Sequence, residues 1–93
     1  MIRSFASKPA EDIWSGRQSR SLPPDIQDRV RRKLRMLNNA GSLQDLRLPP
    51  NNRLEKLSGS RAGQFSVRIN DQWRICFRWD DGDVYDAQVV DYH

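Results

Sequence analysis

The sequence predicts an α+β fold in which N-terminal helices pack on one face of an antiparallel sheet built by the C-terminal half. Three observations predict it. Apolar residues recur at helical spacing between positions 23 and 41, they alternate with polar residues from 64 to 79, and polar turn signals at 70–72 and 80–83 separate the alternating runs.

Taken in order, Ile2, Arg3, Ser4 and Phe5 alternate as a short edge strand would, and positions 10–15 read as a helix ended by Ser15-Gly16. Polar residues 17–22 form a loop. Pro23-Pro24 then starts a second helix, Asp25 and Asp28 occupy the first turns where the helix dipole favours acids, and Gly41 offers a left-handed exit. Ile26, Val30, Leu34 and Leu37 make a single apolar stripe, so this helix packs by one face. Positions 42–46 add a helical turn, and Pro49-Pro50-Asn51-Asn52 interrupts structure before the sheet. Leu54 and Leu57 frame a short strand. Phe65, Val67 and Ile69 alternate with Gln64, Ser66, Arg68 and Asn70, and Trp73, Ile75, Phe77 and Trp79 alternate with Arg74, Cys76 and Arg78. Asn70-Asp71-Gln72 and Asp80-Asp81-Gly82-Asp83 are tight connections, giving a meander that ends in a strand over 84–92.

With 93 residues and 37% hydrophobic content, the chain is long enough for one domain spanning 1–93 and too short for two. No run of about 18 apolar residues exists to span a bilayer, and Lys8-Pro9 arrives before an apolar leader can form. The single cysteine, Cys76, cannot form an internal disulfide. A cytoplasmic protein is expected. The net charge of +4 is unevenly placed: seven basic residues lie between Arg17 and Arg35, while five aspartates and no Lys or Arg follow Arg78. A concentrated basic region supplies salt-dependent affinity for phosphate; it is equally the pattern of a solvated helix face.

If the helices cover Phe65, Val67, Ile69, Trp73, Ile75 and Phe77, the hairpin places Arg68, Arg74 and Arg78 on the uncovered face. Arginine stays protonated and its planar fork binds two phosphate oxygens, so such a cluster suits a phosphorane-like transition state. The alternative is cross-strand pairing with acids such as Asp86. The sole histidine, His93, titrates near neutrality and fits the protonation of a departing ribose oxygen, with Glu55 as a base for the RNA 2′-hydroxyl. Yet a terminal histidine is also a common incidental feature, and Glu55 beside Lys56 also fits a surface ion pair. The sequence has no metal-ligand cluster, no Gly-rich phosphate loop and no Ser-His-Asp arrangement, so no cofactor or metal is expected.

Leu54-x-x-Leu57-x-Gly59, Gly63-x-x-Ser66-Val67-Arg68-Ile69-Asn70-Asp71-Gln72-Trp73-Arg74-Ile75-Cys76-Phe77 and the closing Val90-Asp91-Tyr92-His93 together resemble the HigB toxins of bacterial toxin–antitoxin modules, within the RelE/ParE superfamily. The resemblance runs essentially the whole chain, from Met1-Ile2-Arg3-Ser4-Phe5 onward. It implies a RelE/ParE-like domain with helices on a twisted, mainly antiparallel sheet, and a metal-independent endoribonuclease that cuts mRNA in the ribosomal A site. Arg74 would stabilise the scissile phosphate, Tyr92 would stack on a base or orient the phosphate, and His93 would be the general acid, in a catalytic segment that includes Asp91. Some relatives carry His and Lys where this chain has Glu55 and Ser58. On the resemblance, Glu55 takes the base role, with Lys56 or Arg68 supplying positive charge.

The same resemblance gives the basic helix a docking role, in which Arg29, Arg31, Arg32 and Arg35 face ribosomal RNA; Arg78 joins the RNA-facing set. It also implies a HigA-type helix-turn-helix antitoxin, through which the toxin would meet operator DNA. Two rivals share the fold: a ParE-like inhibitor that binds DNA gyrase without nuclease chemistry, and a catalytically silent RNA-binding module.

Overall fold

The computed structural model describes residues 1–92. Helices α1 (Lys8–Trp14), α2 (Pro24–Asn39) and α3 (Leu43–Arg47) precede strands β1 (Glu55–Lys56), β2 (Gln64–Arg68), β3 (Trp73–Asp80) and β4 (Asp83–Asp91). Short 3-10 turns at Pro50–Asn52 and Gly59–Arg61 flank β1. The strands form an antiparallel meander in the order β1-β2-β3-β4, and the helices pack on one of its faces. The α+β expectation holds.

α2 starts as its prolines dictate, with Pro24 in the first turn, where a missing N–H costs nothing. Its stripe of Ile26, Val30, Leu34 and Leu37 is buried against Val67, Ile69, Ile75 and Phe77 of the sheet side, together with Ile13 of α1 and Leu46 of α3. Gln27 is buried as well, because its amide closes the 19–22 loop: it donates to the carbonyls of Ser19 (2.7 Å) and Leu22 (3.0 Å) and accepts from the Ser19 N–H. The expected left-handed exit at Gly41 is not used. α2 ends at Asn39 with Ala40 extended (φ −69°, ψ 129°), while the Asp45 carboxylate accepts the N–H groups of Gly41 and Ser42 and draws the chain straight into α3. Gly16, by contrast, takes a positive φ of 86° after α1.

The turns follow their sequences. Asp81 and Gly82 both have positive φ, 49° and 84°, as a two-residue primed hairpin requires. At the other hairpin the Asn70 Oδ1 accepts the N–H groups of Gln72 and Trp73. The expected N-terminal edge strand is reduced to isolated parallel bridges, Ile2 with Val84 and Phe5 with Ala87. A bulge explains why it docks there: the β3–β4 register shifts between Cys76 and Arg78, Asp86 takes a φ of 55°, and its N–H donates to the Ser4 hydroxyl at 2.9 Å. Among the described residues, no helix is long and apolar enough to cross a membrane.

Candidate active site on the polar sheet face

Strand alternation fixes which side chains share the face turned away from the helices. Gln64, Ser66 and Arg68 of β2 lie opposite Arg78, Cys76 and Arg74 of β3, Glu55 of β1 lies opposite Ser66, and Gln88 and Val90 of β4 lie opposite Cys76 and Arg74. The centre of this face is sheltered. Ser66 and Cys76 are fully buried, and Arg74 is only 8% exposed.

Arg74 is held by three hydrogen bonds among the described residues. Its Nε donates to the Ser66 hydroxyl at 2.8 Å, and its Nη2 donates to the backbone carbonyls of Arg53 and Ser66. Arg53 presents that carbonyl from the left-handed region (φ 44°, ψ 56°), a conformation a non-glycine residue adopts at a cost. On the other side of the guanidinium, among the described residues, Nη1 meets Glu55 Oε1 at 4.0 Å, and the Tyr92 ring centre lies 5.8 Å from the guanidinium carbon. Three sides are therefore fixed by neutral acceptors and a ring, while the fourth faces a half-exposed carboxylate.

The nearby groups have defined duties. Tyr92 follows β4 and is anchored by its N–H to the Gln72 carbonyl at 2.6 Å. Asp91 is the register partner of Trp73 and accepts from the Gln72 amide at 3.1 Å, so it ties the end of β4 to the β2–β3 turn. Burial pushes the Cys76 thiol up, partly opposed by the charges of Arg61 and Arg74. The expected general acid His93 lies outside the described residues.

The predicted arginine cluster is brought together only in part. Arg68 shares the face in register, yet its guanidinium pairs with Asp71 and lines a cleft with α2. The side-chain hydrogen bond and charge of Arg68 hold the Asp71 carboxyl below its usual range. Arg78 pairs with Asp86 at 3.4 Å, the cross-strand alternative considered from the sequence. Lys56 is the partner of Phe65, so the pleat turns it to the side opposite Glu55. The basic helix divides too. Arg29 donates to the Ile69 carbonyl, whereas Arg31 pairs with Asp28 at 3.0 Å and shares a shallow recess with Arg32 and Arg35. Sequence reasoning missed Ser66 and the Arg53 carbonyl as holders of Arg74. The period-two pattern did carry a signal for Ser66, which it sets on the face of Arg68; nothing in the sequence announces a backbone carbonyl.

The sheet meander thus carries helices on one face and a sheltered arginine under an aromatic ring on the other. Two chains from YoeB–YefM toxin–antitoxin complexes of Staphylococcus aureus superpose on the protein over 100% of its length and 98% of theirs, with TM-scores of 0.62 and 0.57 at 20% and 21% identity, a likeness of fold. A family model described as the RelE-like toxin of type II toxin–antitoxin system HigB matches residues 3–93, and the chain belongs to that HigB-like toxin family. Toxin HigB-1 of Vibrio cholerae serotype O1 is 39% identical over 83 residues, 88% of this chain and 87% of that one. Endoribonuclease HigB of Proteus vulgaris is 29% identical over 93 residues, the full length of both.

Proposed function

We propose that this toxin is an endoribonuclease that cleaves mRNA in the ribosomal A site of the cytoplasm, by attack of the RNA 2′-hydroxyl and without a metal ion. The observation that carries the reading is the environment of Arg74. Among the described residues, its contacts at hydrogen-bond distance are a hydroxyl and two carbonyls, and its carboxylate neighbour Glu55 stands at 4.0 Å. Neutral acceptors fix the fork without neutralising it, so the charge is preorganised for an anion that arrives later. A phosphodiester seated against Nη1 would gain charge as the 2′-oxygen attacks, and the guanidinium would stabilise that added charge.

In this reading each residue has its own role. Glu55, about half exposed beside Nη1, takes the proton of the 2′-hydroxyl; the 2′-oxygen bonds to phosphorus; and the bond to the 5′-oxygen breaks as His93 protonates it. The products are a 2′,3′-cyclic phosphate and a 5′-hydroxyl. Tyr92 supplies a ring on which a base stacks beside the clamp. Arg68 and, on the rim, Asp91 and Arg78 complete the RNA-facing set, while Arg29, Arg31, Arg32 and Arg35 of α2 give α2 its affinity for RNA on the ribosome. The full-length relative named Endoribonuclease HigB supports this reading over gyrase binding. A HigA-type helix-turn-helix antitoxin is the proposed partner, carrying the toxin to operator DNA.

End-group analysis of RNA fragments tests the chemistry. Fragments ending in 2′,3′-cyclic phosphate, produced only when ribosomes are present, are expected. Fragments ending in 3′-hydroxyl and 5′-phosphate would contradict the 2′-hydroxyl mechanism, and intact mRNA with DNA damage would support the gyrase reading.

A further inference from the structure

Four cations meet where α2 passes the end of β2. Arg29, Arg32 and Lys33 of the helix and Arg68 of the strand line a cleft of about 640 Å³, completed by Met36, Asn51 and Ile69. Among the described residues, no carboxylate lines it. Two of the cations are positioned by neutral oxygens: Arg29 Nη1 donates to the Ile69 carbonyl at 3.3 Å, and Lys33 Nζ to Asn52 Oδ1 at 2.6 Å. Burial, then the charges of Arg29, Arg68 and Arg32, hold the Lys33 ammonium below the ordinary lysine value. Asp71, which pairs with Arg68, is almost fully exposed.

The cleft adjoins the site already described. Arg68 is the register partner of Arg74, so their Cα atoms sit on adjacent strands, about 5 Å apart. One of the two guanidiniums points to the centre of the sheet face and the other to the cleft. A chain of phosphates crossing Arg74 would meet Arg68 and then the helix cations.

We propose that this cleft is a second phosphate subsite for the RNA strand that crosses Arg74, holding a phosphodiester that flanks the scissile one. The proposal rests on the nuclease reading. The volume of the cleft falls in the range of small-ligand pockets, about 300–1,000 Å³. Guanidinium forks from Arg32 and Arg68 take phosphate oxygens in pairs, with Lys33 as a point charge between them. An acidic peptide would bring the same charge, but continuity with the phosphate clamp through Arg68 favours RNA.

The test measures binding of the whole protein to two single-stranded RNAs, 2′-O-methylated against cleavage: a trinucleotide covering the cut site and a decanucleotide, a length typical of single-strand sites. Arg32→Gln is expected to weaken the decanucleotide roughly 3- to 10-fold, to flatten its salt dependence by about 0.7 in logarithmic slope, and to leave the trinucleotide unchanged. Arg17→Gln, in the loop after α1 and outside the cleft, should change neither. Equal losses in both variants, or a decanucleotide that wild type binds no better than the trinucleotide, would overturn the proposal. So would an Arg32→Gln defect confined to ribosome binding, which assigns the cleft to ribosomal RNA, or confined to an acidic antitoxin peptide. Cleavage of ribosome-bound mRNA by wild type is followed in parallel. If wild type cleaves and the binding pattern fails, the subsite alone is wrong; if it does not cleave, the nuclease reading falls, and the subsite with it.

Discussion

Arg74 donates from Nε to the hydroxyl of Ser66 at 2.8 Å, across two adjacent strands and inside a part of the sheet that water barely reaches. Their Cα atoms are not register partners: Ser66 faces Cys76, and Arg74 faces Arg68. The bond is therefore a diagonal one, and it points the guanidinium along the sheet toward β1 and Glu55. Without it the long side chain would have several staggered alternatives, each with the charge in a different place.

Ser66→Ala should therefore separate structure from chemistry. Loss of the hydroxyl leaves a buried N–H without its acceptor, which costs about 1–3 kcal/mol, while the fork loses its alignment. The RNA cleavage rate should fall roughly 10- to 100-fold, which corresponds to about 1.4–2.8 kcal/mol of transition-state stabilisation. Thermal unfolding and single-turnover cleavage on the same protein check both. A stability loss with full activity would mean that Ser66 does not aim the arginine.

The Tyr92 ring lies over Arg74 and its hydroxyl has no assigned duty in the chemistry. Tyr92→Phe should retain most of the cleavage rate, whereas Tyr92→Ala should lose roughly 10-fold or more, in keeping with about 0.5–2 kcal/mol for a cation–ring contact. Equal losses in both variants would move the function from the ring to the phenol.

Asp83 ties the N-terminal segment to the β3–β4 hairpin through Arg3 at 3.1 Å and the Met1 amino group at 3.4 Å. Burial raises its carboxyl, but Arg3 and the amino group outweigh that and hold it below the usual carboxylate value. A group depressed in the folded state stabilises fully above the unfolded pKa, and that contribution is lost as the pH falls through the folded value. Acid unfolding followed by circular dichroism should show a shallower stability loss below about pH 4 in Asp83→Asn than in wild type. Parallel curves would contradict the link.

Asn52 is fully buried between the helices and the sheet, where its amide donates to the Leu46 carbonyl and its oxygen accepts from Lys33. Asn52→Ala should destabilise the fold by about 1–3 kcal/mol, since the buried Leu46 carbonyl loses its partner and the part-buried Lys33 ammonium loses an acceptor. Denaturant unfolding measures it. A change within about 0.5 kcal/mol, as for an ordinary surface position, would mean that water replaces the amide.

Much of this was legible in the sequence because periodicity fixes faces. The stripe of Ile26, Val30, Leu34 and Leu37 fell on the core, and the alternation through β2 and β3 set Arg68, Arg74 and Arg78 on the other side. Periodicity does not fix where a long side chain ends. Arg78 turned to Asp86 and Arg68 to Asp71 because acids stood within reach at a bulge and a turn. Gly41 looked like a helix exit by composition, but the Asp45 carboxylate competed for its N–H. The left-handed Arg53 carbonyl that holds Arg74 comes from tertiary context, which no local pattern encodes. The family resemblance read from the motifs at 54–59 and 63–77 and the closing Val90-Asp91-Tyr92-His93 agrees with the family match over residues 3–93.

If Arg74 is a phosphate clamp in a ribosome-dependent nuclease, its loss must show in RNA 5′ ends mapped in a purified translation system, with and without ribosomes, for wild type, Arg74→Lys and a protein lacking His93. Arg74→Lys keeps a charge at the site but loses the planar fork, which makes it less prone than Arg74→Ala to leave the Arg53 and Ser66 carbonyls unpaired. New ends within translated codons, dependent on ribosomes and reduced at least ~100-fold in both variants, are the expected result. Cleavage that persists in a folded Arg74→Lys protein, or mRNA that wild type leaves intact on ribosomes, would contradict it.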